Sequence, residues 1–148
     1  NEEYMKLKGK VYCMPQNPTM LMASADCDAY ACNLQNHDYD LVYRHHTDHV
    51  NILMKMGIDF LVIASGSAHM SIPLMMKENP KLKNLHIADC MAHSIKSQGL
   101  TCVALLGTEP TMREQYIKGQ LAKHGITTLV PSQEDSNQLF QYILDELC

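Results

Sequence analysis

Two short stretches carry residues whose types and spacing could hold an anion: Ser65-Gly66-Ser67-Ala68-His69 and Gly107-Thr108-Glu109-Pro110-Thr111. Each sets small hydroxyl side chains beside the first turn of an expected helix. Backbone N–H groups there lack intrahelical partners, and the helix dipole favours negative charge. A carboxylate or a phosphate is the ligand such loops suit. Ser and Thr also stand at these places simply as helix caps, and capping explains either loop taken alone. Gly66 and Gly107 stand singly rather than in a phosphate-cradling series, so nucleotide binding has little support.

Other reactive side chains are less organised. His45 and His49 have the spacing of a helical metal pair, but no glutamate lies between them and no third ligand follows. An exposed helix face is expected there, and no metal or cofactor. The six cysteines are Cys13, Cys27, Cys32, Cys90, Cys102 and Cys148, with no C-x-x-C pair. At 46% hydrophobic residues in 148, the chain needs no disulfide staples, and a reducing, cytoplasmic setting is expected. Cys102 sits in an apolar run and is expected as a small core residue. Cys90, after Asp89 at a strand end, reads either as a buried residue at a helix start or as a replacement thiol. Met54, Met56, Met75 and Met76 read as adaptable core filling.

The elements that must position the two loops alternate between strand-like and helix-like runs. Thr19 to Ser24 reads as a buried strand behind Pro15 and Pro18, and Asp40 to Met56 as a helix stopped at Gly57. Asp59 to Ala64 is a near-continuous apolar run of the kind buried on both faces of a parallel sheet. A helix from about Ala68 to Lys77, a brief strand at Leu85–Ile87 and a helix from Cys90 to Gln98 follow. Thr101 to Leu106 is another buried strand. Pro110 can open a helix that runs to His124 and ends at Gly125. Thr127 to Val130 and Asp135 to Leu147 read as a last strand and helix. Such alternation predicts an α/β fold, a parallel sheet with helices on both faces. In that fold, ligands bind at the carboxyl ends of the strands, where both loops fall. Ser24, ending the first strand, would face the same rim.

A net charge of −4 with mixed signs argues against nucleic acid and against anionic membrane as partners. No apolar run approaches the ~20 residues needed to cross a bilayer. The opening Asn1-Glu2-Glu3-Tyr4 has no signal-peptide pattern and no methionine, so a start downstream of the translation start is expected.

One longer pattern joins the loops. Leu53-x-x-x-Gly57-x-Asp59-Phe60-x-Val62-Ile63-Ala64-Ser65-Gly66-Ser67-Ala68-His69 resembles the first half-site of the aspartate/glutamate racemase family, an apolar strand ending in Cys-Asn-Thr-Ala-His. Ile87-Ala88-Asp89 and Val103-Ala104-Leu105-Leu106-Gly107-Thr108-x-x-Thr111 resemble its second landmark, Gly-Leu-Leu-Gly-Thr-x-x-Thr. Tyr116, Leu121, Gly125, Pro131 and Asp145-Glu146 continue in the family's order, so the resemblance runs from about Thr19 to Cys148. It implies two pseudo-symmetric α/β halves. Residues 1–100 would form a first subdomain lacking its usual opening strand, and 101–148 the beginning of a second.

The resemblance implies racemisation of an acidic amino acid without pyridoxal phosphate or another cofactor. Two bases flank the α-carbon, and cysteine serves because its ordinary pKa of about 8.5 lets a thiolate form with modest help. Hydroxyls and amides hold the carboxylate and the developing enolate charge. Here the family's first cysteine falls on Ser65, its asparagine on Gly66 and its threonine on Ser67, and no Gly-Cys-Thr segment for the second cysteine is present. A serine hydroxyl needs its own base at neutral pH; a Ser65–His69 dyad is conceivable. Thr108 and Thr111 match directly.

The expected site is therefore Ser65 in the catalytic place, with Gly66, Ser67, Thr108, Thr111 and Ser24 around a small carboxylate-bearing ligand. Three readings stand: part of an acidic-amino-acid racemase, a non-catalytic relative binding a dicarboxylate or a protein partner, and a one-base decarboxylase or lyase. Incomplete sheets leave open edges and apolar faces, so a homo-oligomer, a dimer or larger, is expected.

Overall fold

The computed structural model describes Lys6, residues 18–36 and 38–143, and Asp145. Between residues 18 and 143 the α-helices and β-strands follow in chain order, with a 3-10 turn (Ser67–Ser71) after the first strand: α1 (Cys27–Gln35), α2 (Tyr39–Lys55), β1 (Leu61–Val62), α3 (Ile72–Glu78), β2 (Asn84–Leu85), α4 (Ile87–Ser97), β3 (Cys102–Ala104), α5 (Glu109–Arg113), α6 (Gln115–Lys123), β4 (Thr127–Leu129) and α7 (Gln133–Tyr142). The fold is α/β, and its strands pair in parallel. Leu61 stands beside Asn84 and Val62 beside Leu85; Cys102, Val103 and Ala104 stand beside Thr127, Thr128 and Leu129. No helix among the described residues is long and apolar enough to cross a membrane.

Local chemistry sets most boundaries. Asp38 caps α2 by accepting from the Leu41 amide, and Gly57 follows that helix at φ 79°, a left-handed conformation that residues with a Cβ seldom adopt. Gly125 does the same after α6 at φ 74°. The helix expected from Ala68 divides instead. A continuous α-helix would need an N–H at Pro73 and would press its ring on the His69 carbonyl. The chain therefore makes a tighter 3-10 turn over Ser67–Ser71 and starts α3 at Ile72. The helix expected to run from Pro110 to His124 also divides, at the extended backbone of Glu114 (φ −76°, ψ 165°). Helix α1 was not foreseen, although its signal is local: the Asp26 carboxylate accepts from the Asp28 and Ala29 amides.

Each pair of strands has its own core. Val50, Leu53, Leu61, Ile72, Met75 and Leu82 pack around β1 and β2. Ala88, Ala92, Leu105, Ile117, Leu121 and Ile126 pack around β3 and β4, so α4 belongs to the second core. Met75 fills core as expected, whereas Met56 and Met76 are exposed.

Three expectations need correction. Thr19–Ser24 forms no strand among the described residues, and Met20 and Met22 are 79% and 91% exposed. Apolar extended backbone becomes a strand only where a sheet edge accepts its hydrogen bonds, and none is bonded to it there. The run from Asp59 to Ala64 is buried on one face only: Leu61 is in the core, while Phe60 and Val62 are more than half exposed. Cys102 lies on the open face of β3, because side chains alternate along a strand and Val103 takes the inward place. The end of the helix expected to reach Leu147 lies outside the described residues.

Candidate functional site

The first loop leaves β1 and turns at Gly66, whose backbone is right-handed helical (φ −58°, ψ −50°). Ser65 and Ser67 stand on either side of it, with their Oγ atoms 3.4 Å apart. Neither the 3-10 turn nor α3 has a side-chain cap, so these hydroxyls are not spent on their own helix. Ser67 instead accepts a hydrogen bond of 2.7 Å from the phenol of Tyr30 on α1. Burial pushes the Tyr30 pKa up, and the bond to Ser67 opposes that shift.

The second loop repeats the arrangement. Thr108 stands at the cap position of α5 and makes no cap bond. Its Oγ1 lies 3.2 Å from Oγ1 of Thr111, which lies 3.0 Å from the Tyr116 phenol. A Cβ at Gly107 would sit 3.1 Å from the Thr111 methyl, so glycine is what lets the threonine fold back over the loop. The Tyr116 pKa is raised by burial, opposed by the Thr111 bond and raised further by charge on Tyr30 and Glu114. Ser65–Ser67–Tyr30 and Thr108–Thr111–Tyr116 are two chains of hydroxyls, one on each loop, and each ends in a half-buried phenol.

His69 closes the dyad route. Its side chain is 1% exposed. Nδ1 lies 2.9 Å from the Ser65 carbonyl, so it carries the proton and donates; Nε2 accepts from the Ile87 amide at 3.1 Å. Both nitrogens are committed to backbone, and Ser65 Oγ has no base there. Cys90 is exposed on α4, not buried, because the apolar side of that helix runs through Ala88 and Ala92. Ser24 is exposed in the irregular segment before α1, and no hydrogen bond among the described residues joins it to either loop.

The residues around these loops are structural ties. Asp89 Oδ1 accepts from Gln120 at 2.8 Å and lies 2.7 Å from His124 Nε2, linking α4 to α6. Burial raises the Asp89 pKa, but the bonds from His124 and Gln120 outweigh it and hold the carboxyl below its ordinary value. The α2 histidines are half-buried, not an exposed face. The His49 Nδ1 donates to the His45 carbonyl at 2.6 Å, and the two rings pack 4.9 Å apart. His46 meets Ser71 at 2.7 Å. Burial, then the neighbouring His45 and His49, lower its pKa to about 4. Among the described residues no group of His, Cys, Asp or Glu is arranged to hold a metal ion. A groove of about 760 Å³ runs between α3 and α6, bordered by Met76, His86, Glu114 and Lys123. His69 and Tyr116 also line it, while Ser65, Ser67, Thr108 and Thr111 do not.

Sequence reasoning found both hydroxyl loops and missed both phenols. Tyr116 was visible only as a family landmark, and Tyr30 carried no local signal.

Comparison with known proteins converges on one description. A family model described as Asp/Glu/Hydantoin racemase matches residues 10–146. The chain is also similar to a provisionally assigned Asp/Glu racemase from Yersinia pestis, with a TM-score of 0.82 and 26% identity over 100% of this chain and 63% of that one. An aspartate racemase homologue from Pyrococcus horikoshii OT3 shares the fold, with a TM-score of 0.73 and 20% identity over 99% of this chain and 63% of that one. The chain therefore spans about 63% of the length of each relative.

Proposed function

The chain belongs to the Asp/Glu/Hydantoin racemase family, and from that premise we propose that its two hydroxyl loops bind a small acidic amino acid or dicarboxylate while residue 65 supplies no base. The observation that carries this reading is the pairing of loop hydroxyls that cap no helix with half-buried phenols: Ser67 with Tyr30, and Thr111 with Tyr116.

The chemistry separates into two parts. Hydroxyl and amide donors suit a carboxylate and the negative charge that grows when its α-proton leaves. Proton removal itself needs a basic atom, and a serine hydroxyl reaches that state only with a partner to take its proton. His69 is not that partner, since both ring nitrogens are bonded to backbone. Two-base racemisation, the family's cofactor-independent chemistry, is thus not proposed for this chain alone. We propose no cofactor and no nucleic-acid partner, and a cytoplasmic setting.

The test is titration with aspartate, glutamate and succinate, followed by incubation of any bound amino acid in heavy water. Binding without α-proton exchange supports the proposal. Exchange with retained configuration favours a one-base lyase or decarboxylase site, and racemisation overturns the reading that position 65 lacks a base. Absence of binding by all three ligands removes the proposal.

We further propose self-association. Val62 and Leu85, register partners on the first sheet, and Leu129 on the second are exposed on the faces away from the cores. Apolar sheet faces of this kind favour association. Light scattering that gives a monomer across a wide concentration range would count against it.

A further inference from the structure

We propose that His69 is the positioning residue of this site: through its imidazole it staples the loop carrying Ser65 to the first turn of α4. The inference rests on the ligand-site reading above and adds how that site is held in shape.

The geometry is specific. Ser65 and Ile87 follow different strands, β1 and β2, and no side chain of either connects them. His69 spans the gap with two bonds of opposite sense, donating from Nδ1 to the Ser65 carbonyl at 2.9 Å and accepting at Nε2 from the Ile87 amide at 3.1 Å. The Ile87 N–H is one of the helix-start donors that α4 cannot satisfy internally. The helix has its own cap in His86, whose Nδ1 accepts from the Ala88 amide at 3.1 Å. His69 therefore supplies a second, external acceptor for a different amide. Its ring is fixed against His86, with centroids 4.8 Å apart and planes at 61°. Ser65 and Ser67 belong to the same short turn, so the height of their hydroxyls over the sheet follows from this clamp. Phenylalanine would fill the space and make neither bond. Glutamine carries a donating amide nitrogen and an accepting oxygen on a single side chain.

The experiment uses three variants of the full chain: His69→Phe, His69→Gln and Ile87→Pro. The last removes the N–H from which His69 accepts and exchanges a side chain that is already exposed. Proline is tolerated at the first helical position, and the preceding His86 is already extended (φ −80°, ψ 126°), as the residue before proline must be. Succinate affinity is measured beside the amide resonances of Ser65, Gly66 and Ser67 and the urea midpoint. His69→Phe is expected to weaken succinate about tenfold, as the loss of two modest hydrogen bonds, one to the loop and one to α4, implies. Ile87→Pro is expected to weaken it about threefold with α4 intact, and His69→Gln to restore most of the affinity that phenylalanine loses. In both weakened variants the loop amides shift.

A merely structural histidine would lower the urea midpoint and leave the affinity of the folded protein unchanged; that result overturns the proposal. Should His69→Phe fail to fold, Ile87→Pro decides, since unchanged affinity and unmoved loop amides in that variant overturn the proposal by themselves. Should the unaltered chain bind no succinate or aspartate, the ligand-site reading fails separately. The staple is then read from the imidazole nitrogens and loop amides alone: an Nδ1-protonated ring with shifted loop amides in Ile87→Pro supports it, and an Nε2-protonated ring overturns it.

Discussion

Tyr30 and Ser67, 37 residues apart in the chain, share a hydrogen bond of 2.7 Å. Tyr30 sits on α1, before the first strand of the described fold, and Ser67 in the turn after that strand. The bond orients a loop hydroxyl that also lies 3.4 Å from Ser65 Oγ and sets an aromatic wall beside the loop. Tyr30→Phe keeps the wall and removes the bond. Affinity for succinate or aspartate should fall about three- to tenfold, and stability by about 1 kcal/mol. Calorimetric titration checks the first and urea denaturation the second; unchanged affinity would place Tyr30 outside the ligand site.

Gly107→Ala tests the second loop. The new methyl would lie 3.1 Å from the Thr111 methyl and 3.2 Å from its Cβ, so the threonine must give way. Its bonds to Thr108 and Tyr116 weaken with it. The expected cost is about 1–2 kcal/mol of stability, the range for modest overpacking, with weaker carboxylate binding. Thr111→Val should reproduce the binding loss without the crowding.

Gly66 leaves room for a larger side chain. Nothing lies within 4 Å of a Cβ built there, and its backbone angles suit any residue. The double variant Ser65→Cys, Gly66→Asn should therefore fold with a midpoint close to that of the unaltered chain, giving an exposed thiol titratable with iodoacetamide. With a single thiol base in place, aspartate in heavy water should exchange its α-proton without net inversion. A thiol that alkylates while aspartate binds and keeps its α-proton would mean that Ser65 does not face the substrate carbon.

His46 gives the pH dependence its sign. Its folded pKa is lowered from 6.5 to about 4, so between those values the unfolded chain binds more protons than the folded one. Stability should be full above about pH 6.5 and fall as pH drops toward 4. Partial exposure screens the effect, and about 1–2 kcal/mol is expected. Urea midpoints at pH 7.5, 6 and 5 would show the fall, and His46→Gln, which keeps a partner for Ser71, should flatten it.

The parts of this protein legible in its sequence are those governed by near neighbours along the chain. Gly57 and Gly125 end helices because a left-handed residue is needed there, and Ser65, Ser67, Thr108 and Thr111 mark loops after strands because apolar runs stop before them. Pro73 already carried the reason that the helix after Ser67 divides. Family membership was also legible, since it rests on the order of such local features. Tertiary structure alone decided the rest. Whether Ser67 caps a helix or accepts from Tyr30, whether His69 serves Ser65 Oγ or staples its carbonyl to Ile87, and which face of β1 and β3 is covered depend on groups distant in the chain. A side chain's type limits the bonds it can make, but only the packed fold brings one partner within 3 Å and excludes the others.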